Sequence, residues 1–541
     1  MMGRSDWKKF PKSILLEPVS VFLLFLYISY QNAWLSDDSF ISFRVIDHFV
    51  NGNGLHWNIA ERVQAFTNPL LILVLSPFYY LYQNIVLWSL FSSFIWGLAT
   101  FYYLRKIAVS SFSFWIGITF LLSSRSFVDY TYSGLENSLN YFLAAIFFYH
   151  YFKEEESERS KLPVLVLIAS VGLVSRIDFV LIFILPISLL LRKEWKNGKV
   201  DPSLLFKISV STWPAILWFL FSSLYYGSLL PNTYYAKTNV EEPFSQILQN
   251  GWNYYIFEMK WDPIVFFFLP FVAIIRIFFK KNNAPIWVFF GFSLPYFIYI
   301  FSVGGDFMAG RFFTYVIFLF GIALVRMESL EKKEIYILSS ALIFYNILLL
   351  STPIHPISQQ IKQNPWKLGK DEIADEKLWY FPATGLVARN KENSLIPYLT
   401  RKKFFVTEED HEKVLVKYNV GFFGFLHPSQ HILDHVGLGD PLLSRIKGKG
   451  RIGHKIRSLP FGYFDSLEFG ENRIQDLALR EYYDSLMILT RGELFDPKRF
   501  GLFWRFQFGD LRKYSKPYIV DEVLENKIRK RSLEKGSHSF D

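Results

Sequence analysis

Between residues 13 and 352 the chain repeats apolar stretches that are each about long enough to cross a bilayer. Roughly 20 apolar residues in a helix cover the hydrocarbon thickness. The candidate spans are 14–33, 85–104, 107–123, 138–153, 161–175, 177–192, 204–226, 262–279, 284–303, 311–325 and 334–352. Of 541 residues, 51% are hydrophobic and 19% aromatic, with Phe 58 and Tyr 31, and the mean hydropathy is +0.20. That usage lies above the soluble norm, and the chain reads as a polytopic α-helical membrane protein. The absence of cysteine excludes disulfides, thiolate metal sites and a cysteine nucleophile.

A net charge of +10 in a soluble chain would point to nucleic acid, but here the basic residues collect at helix ends. With Arg4, Lys8, Lys9 and Lys12 inside, residues 14–33 read as a retained first helix. The turns at Lys153 to Lys161, Arg192 to Lys199, Lys280 to Lys281 and Arg326 to Lys333 then face the cytoplasm, as do Arg105 and Lys106. This parity holds only if a further apolar run, 68–83 with Ser76-Pro77 in its middle, does not cross. Eleven spans follow, with the C-terminus outside.

On this topology the unusual polar segments share the outer side: "SDDSF" (36–40), "ERVQAFTNPL" (61–70), "YSGLEN" (132–137), "SRID" (175–178), "YGSLLPNTYYAK" (226–237) and "GGDFMAGR" (304–311). Polar groups at membrane depth must pair or line a cavity, so their convergence marks a candidate site. Residues 1–352 read as the membrane domain, with a first outer loop over 34–84. Residues 353–541 are rich in charge, glycine and proline, and read as a soluble outer domain of mixed α and β content.

After Ser36, a plausible N-cap, residues 37–50 carry a helical pattern that ends at Gly52-Asn53-Gly54. Asp37, Ile41, Arg44 and His48 share one face, with Asp38 about a third of a turn around. A carboxylate at a helix start, with an arginine two turns on, suits a base beside an anionic leaving group. The plainer explanation is that acids favour helix N-termini. Asp178 likewise has a plain role in neutralising Arg176, Gly304-Gly305-Asp306 as a capping turn and Pro231-Asn232 as a loop turn, while His48 reads as a surface residue.

The segment "DDSFISFRVIDHFVNGNGLHWNIAERVQAFTNPL" resembles the first outer loop of the GT-C superfamily of glycosyltransferases that use lipid-phosphate sugars. It is most similar to the mycobacterial terminal β-(1→2)-arabinofuranosyltransferase family. The likeness rests on Asp37-Asp38, Phe40 to Arg44, Gly52 to Asn58, Glu61 to Val63 and Thr67 to Leu70. It extends through "SGLEN", "SRIDF", "YYGSLLPNTYYAK", "GGDFMAGRF", "GLGDPLLSR" (437–445) and "RIGHKIRSLPFGY" (451–463). Ala65, preceded by Gln64, stands where the family usually has glycine, and the family's usual proline is absent from Ser175-Arg176-Ile177-Asp178.

The resemblance implies a GT-C fold with its active site and C-terminal domain on the periplasmic side of a bacterial cytoplasmic membrane. The donor would be a polyprenyl-phosphate sugar, and the acceptor an envelope polysaccharide or lipid-linked glycan. Asp37 or Asp38 would be the base. Arg44, Arg311, Arg176 and Lys237 would hold the donor phosphate, Arg44 and Arg311 foremost. Glu61, Asn68, Glu136, Asp178, Asn232 and Asp306 would bind sugar hydroxyls. The resemblance fixes neither the inverting or retaining course nor a divalent metal, and nucleic acid is not an expected partner. The alternatives are a mannosyl- or other hexosyltransferase with the same carrier, a lipid-linked sugar transporter, and a scaffold without catalysis. A transporter should show internal repeats and midplane polar residues, and neither is evident.

Overall fold

The computed structural model describes residues 12–153, 160–198, 200–328, 330–349, 352–355, 373–387, 412–417, 420–451 and 453–535. The chain is mostly helical. The first half runs α1 (Lys12–Asn32), α2 (Asp37–Val50), α3 (Pro69–Leu81), α4 (Ile85–Ile107), α5 (Ser111–Ser123), α6 (Arg125–Thr131), α7 (Asn137–Lys153), α8 (Leu162–Ser175) and α9 (Leu181–Lys196). It continues through α10 (Pro202–Val210), α11 (Trp213–Tyr225), α12 (Asn232–Thr238), α13 (Phe244–Trp261), α14 (Ile264–Phe278), α15 (Ala284–Ser302), α16 (Thr314–Val325) and α17 (Lys332–Leu348). The C-terminal part holds α18 (Glu376–Thr384), β1 (Val414–Lys417), α19 (Val420–Leu426), β2 (His431–Asp434), α20 (Tyr463–Phe469), α21 (Leu477–Arg491), α22 (Pro497–Phe508) and α23 (Glu522–Lys535).

Among the described residues, two helices, α4 and α15, are individually long and apolar enough to cross a membrane. Counting each bent pair as one span brings the number to five: α1 with α2, α10 with α11, and α13 with α14. Length and composition therefore qualify fewer crossings than the eleven expected. The reason is chiefly length, since α5, α7, α8, α9, α16 and α17 have 13, 17, 14, 16, 12 and 17 residues. The chain bends by 73° where Asp262-Pro263 separates α13 from α14, and by 45° at Ser211-Thr212. At 13 residues, α3 is about 20 Å long and cannot span the core alone. Large side chains such as Leu23, Phe91, Leu220, Phe267 and Ile298 are exposed on the helix surfaces. An apolar exterior on this scale suits lipid rather than water.

The inner core joins α4, α5, α7, α14, α15 and α16 through buried residues such as Phe120, Phe147, Phe268, Phe289 and Val316. A separate core in the C-terminal part centres on Leu442, Leu459, Tyr463, Leu479, Leu486 and Phe506. The β content expected there amounts, among the described residues, to one pair of four-residue strands. They lie parallel, with Val414 opposite His431 and Lys417 opposite Asp434, joined by α19.

Packing does not divide at residue 352. Phe422 of α19 sits edge-on to Phe40 of α2, with ring centres 5.1 Å apart. Thr384 of α18 exchanges two hydrogen bonds with the Leu35 backbone, at 3.1 and 2.9 Å. Both helices therefore pack against the start of α2, and this places them against the candidate site.

Candidate functional site

The chain turns by 95° between α1 and α2, and Asp37 and Asp38 open α2 just past this turn. Ser36 stands at the N-cap position of α2, but its hydroxyl donates instead to the Ser133 carbonyl at 3.2 Å. The two carboxylates then take different partners. Asp37 accepts from the backbone N–H groups of Gly421 (3.1 Å) and Phe422 (2.8 Å) at the start of α19. Burial pushes its pKa up to about 6, helped by Asp38 and opposed by those two amides. A Cβ on Gly421 would lie 1.9 Å from the Asp37 carbonyl oxygen, so only glycine permits this approach.

Asp38 pairs with Arg311 instead, Oδ2 to Nη1 at 3.0 Å. Its side chain keeps 27% of its exposure, and Oδ1 has no hydrogen-bond partner among the described residues. Arg311 is buried and also pairs through Nε with Asp306 at 2.5 Å. The turn that delivers Asp306 needs positive φ at Gly304 and Gly305, and a Cβ at Gly305 would strike the Tyr254 side chain at 2.5 Å.

A second charged chain lies alongside. Ser42 donates to Asn68 (2.8 Å), and Asn68 donates to Glu136 (2.9 Å). Glu136 pairs with Arg176 (2.8 Å), which also pairs with Asp178 (2.6 Å). Tyr296 donates to the other Asp178 oxygen at 2.8 Å. The Phe312 ring links the two chains, its centre 5.6 Å from both the Arg176 and the Arg311 guanidinium carbon.

Lys237, in the last turn of α12, keeps solvent access. Burial of its surroundings and nearby Arg311 lower its pKa, while Asp306 and Asp38 pull it back. Its charge is thus set by the same Arg311, Asp306 and Asp38 groups. The α18 helix lies near the same groups, and its Glu376 has its pKa raised by burial and then by Asp38 and Asp37, against Arg451 and Arg311. Tyr380, one turn on, responds to the same carboxylates. The helix is pinned by ion pairs from Asp375 to Arg125 (2.5 Å) and from Lys377 to Asp129 (2.6 Å). Glu376 itself has no ion-pair partner among the described residues.

The result is a cluster in which Asp38 and Asp306 share Arg311, Glu136 and Asp178 share Arg176, and the Asp38 Oδ1 has no hydrogen-bond partner among the described residues. This arrangement can take a proton from a hydroxyl and hold an anion beside it. Among the described residues, no group of three or more His, Asp or Glu is arranged to hold a metal ion.

No family model, curated protein or solved structure matched this chain.

Three residues expected in the site hold the C-terminal part in place instead. Arg44 is fully buried and donates to four backbone carbonyls: Trp57 (2.8 Å), Gly424, His427 (2.9 Å) and Gln430 (2.8 Å). With these donors committed, and burial lowering its pKa to about 9, Arg44 is no partner for Arg311 in gripping a phosphate. Asn232 donates to the carbonyls of Gly437, Leu438 and Asp440 and accepts from Ser444, so it clasps the turn before the 443–445 helix. Glu61 pairs with Arg491 of α21 at 3.2 Å. His48, expected at the surface, is buried and bridges the His56 and Pro428 carbonyls.

Sequence reasoning missed Glu376, Tyr380 and Arg451. The first two lie in a charged stretch, "DEIADEKLWY", where nothing in the spacing singles out one carboxylate. The one available signal was Lys377, a basic residue that would have to be buried or paired if the stretch formed a packed helix.

Proposed function

We propose that this chain is a membrane glycosyltransferase of GT-C type, moving a sugar from a polyprenyl-phosphate donor to an envelope glycan on the outer side of the cytoplasmic membrane. In the family it resembles, that sugar is arabinofuranose. The observation that carries the reading is the open Oδ1 of Asp38 on a carboxylate paired with the buried Arg311. Asp38 takes the acceptor hydroxyl proton as the new C–O bond forms at the anomeric carbon. The bond from that carbon to the phosphate oxygen breaks, and polyprenyl phosphate leaves with the electron pair. Arg311 and Lys237 meet the charge that develops on the phosphate. Arg176, with Glu136, Asp178 and Asn68 fixed around it, lines the same cavity for sugar hydroxyls, and Glu376 faces the acceptor from α18. Asp37 positions the doublet by tying it to α19. The topology remains the eleven-span arrangement, with the C-terminal domain outside, and the exposed apolar helices and basic turns support it.

The experiment is direct. The protein in lipid nanodiscs is given polyprenyl-phosphate arabinofuranose or polyprenyl-phosphate mannose with an envelope glycan acceptor. Sugar transfer from one of these donors, with release of polyprenyl phosphate, is expected. Donor movement across a liposome without transfer would replace the enzyme by a transporter, and absence of both would overturn the reading.

A pH dependence follows from Asp37. Its folded pKa is raised from 3.8 to about 6, so the folded protein holds this proton more tightly than the unfolded chain. The stabilisation from this group is complete below about pH 4 and lost by pH values above about 6. Above that point the ionised carboxylate grips the Gly421 and Phe422 amides most firmly, in the face of Asp38, Asp434 and Glu376. Transfer should therefore climb through about pH 6. Asp37→Asn should lower activity and remove that limb from the pH–rate profile, whereas an unchanged limb would assign it to another group.

A further inference from the structure

Helix α22 carries an aromatic stripe on its open side. Phe500, Trp504 and Phe508 recur every four residues and are 50%, 62% and 66% exposed, and Phe495 just before the helix is 73% exposed. The other side of α22 is held to the end of α11. Arg499 donates to the carbonyls of Leu224 (2.6 Å) and Tyr225 (2.8 Å), the last residues of that helix. Tyr235 donates to Gln507 at 2.6 Å. The stripe therefore starts where α11 ends.

On α11 itself Trp213, Ile216, Leu217 and Leu220 are all more than half exposed. A crevice of about 240 Å³ joins the two surfaces, walled by Leu220 and Leu224 on one side and by Phe500, Phe503 and Trp504 on the other. Anything that covers the α22 stripe must thus be continuous with what covers α11. Basic side chains frame the aromatics. Lys498 flanks the stripe, as does Arg505, which pairs with Asp510 at 2.6 Å, and Arg512, Lys513 and Lys516 are exposed just beyond it. Aromatic rings with a cationic rim are the composition of a helix lying in the headgroup layer of a bilayer.

We propose that α22 is an interfacial helix, lying in the anionic headgroup layer of the leaflet at the Tyr225 end of α11 and anchoring the C-terminal domain to the membrane. The aromatic stripe enters the acyl boundary, and the basic rim meets lipid phosphates. Since α19 and α21 belong to the same C-terminal part, this anchor fixes how that part sits over the Asp38 cleft. The inference rests on the proposed membrane reading, specifically on α11 facing lipid.

The chain has no cysteine, so single labels can be placed without removing native thiols. A Cβ on Gly501, beside the stripe, meets nothing within 4 Å, so Gly501→Cys should fold normally. With an environment-sensitive fluorophore on this cysteine, the full protein is placed in nanodiscs of phosphatidylglycerol and phosphatidylethanolamine, with and without bromine near the headgroup end of the acyl chains. Blue-shifted emission, strongly quenched by brominated lipid and shielded from aqueous iodide, is expected. A label that brominated lipid leaves unchanged overturns the proposal, whether water or a second protein copy covers it. Leu217→Cys, labelled likewise, separates the two levels. Its failure to be quenched would remove the membrane reading of α11, while quenching at Leu217 alone would remove only the interfacial helix.

Discussion

Asp38→Asn is expected to lower sugar transfer roughly 10²–10⁴-fold while leaving the protein folded. The amide keeps the size of the side chain but cannot accept the acceptor proton. The competing account gives Asp38 a purely electrostatic task, neutralising the buried Arg311. Geometry lets the two be told apart, because Arg311 keeps a second partner in Asp306 at 2.5 Å. Removing the charge of Asp38 therefore does not strand an unpaired buried guanidinium, and the melting temperature should move little. The loss should fall on kcat, with donor affinity nearly intact, since Arg311 and Lys237 remain. Full activity in Asp38→Asn would end the assignment of the base. A fall in thermal stability that accounts for the lost activity would give Asp38 the structural role instead.

How much of this was legible in the chain depended on where each residue's partner lies. The limits of α2 were readable because they are local: a serine and two acids at the start, Gly52 and Gly54 with positive φ after the end. The convergence of Glu136, Arg176, Asp178, Asp306 and Arg311 was also readable in outline. Charged groups at the edge of an apolar layer need partners, and charge parity had put these segments on one side. The individual pairings were not readable, since any of several carboxylates could have met either arginine.

Arg44, Glu61 and Asn232 went astray for a different reason. They belong to the same quoted motifs, yet Arg44 and Asn232 meet backbone carbonyls far along the chain, between Gly424 and Asp440. Carbonyl acceptors are common to every residue and leave no trace in sequence, so a motif arginine looks the same whether it faces a ligand or a loop. Glu376 is the converse. It reaches the site because α18 is pinned through Asp375 and Lys377, and no local pattern announces that docking. Length and composition qualify two to five crossings among the described residues, fewer than the eleven hydropathy runs, because most of those runs fold into helices shorter than a bilayer-spanning length.

Arg44 and Arg311 offer the sharpest contrast between holding the fold and meeting a substrate. Arg44→Ala should destabilise the protein by about 3–5 kcal/mol. The substitution takes the guanidinium donors from the carbonyls of Trp57, Gly424, His427 and Gln430, of which Gly424 and His427 keep a backbone N–H at 3.3 Å each, and opens space beneath the Trp57 ring, whose centre lies 4.7 Å from the guanidinium. The segment 424–430 should loosen from α2, read as a lower melting temperature and faster proteolysis there. Binding of a polyprenyl-phosphate analogue, corrected for the folded fraction, should stay near that of the unaltered protein.

Arg311→Lys should do the opposite. An ammonium still satisfies buried Asp306, and the partly exposed Asp38 can turn to solvent, so stability should fall less than in Arg44→Ala. The two-pronged grip on phosphate is lost, and with it analogue affinity and turnover together, because the same phosphate gains charge as it leaves. Titrating both purified variants with the analogue, alongside thermal melts, measures both quantities on one sample. Equal loss of analogue binding in the two variants would return Arg44 to the site, and unchanged binding in Arg311→Lys would remove Arg311 from it.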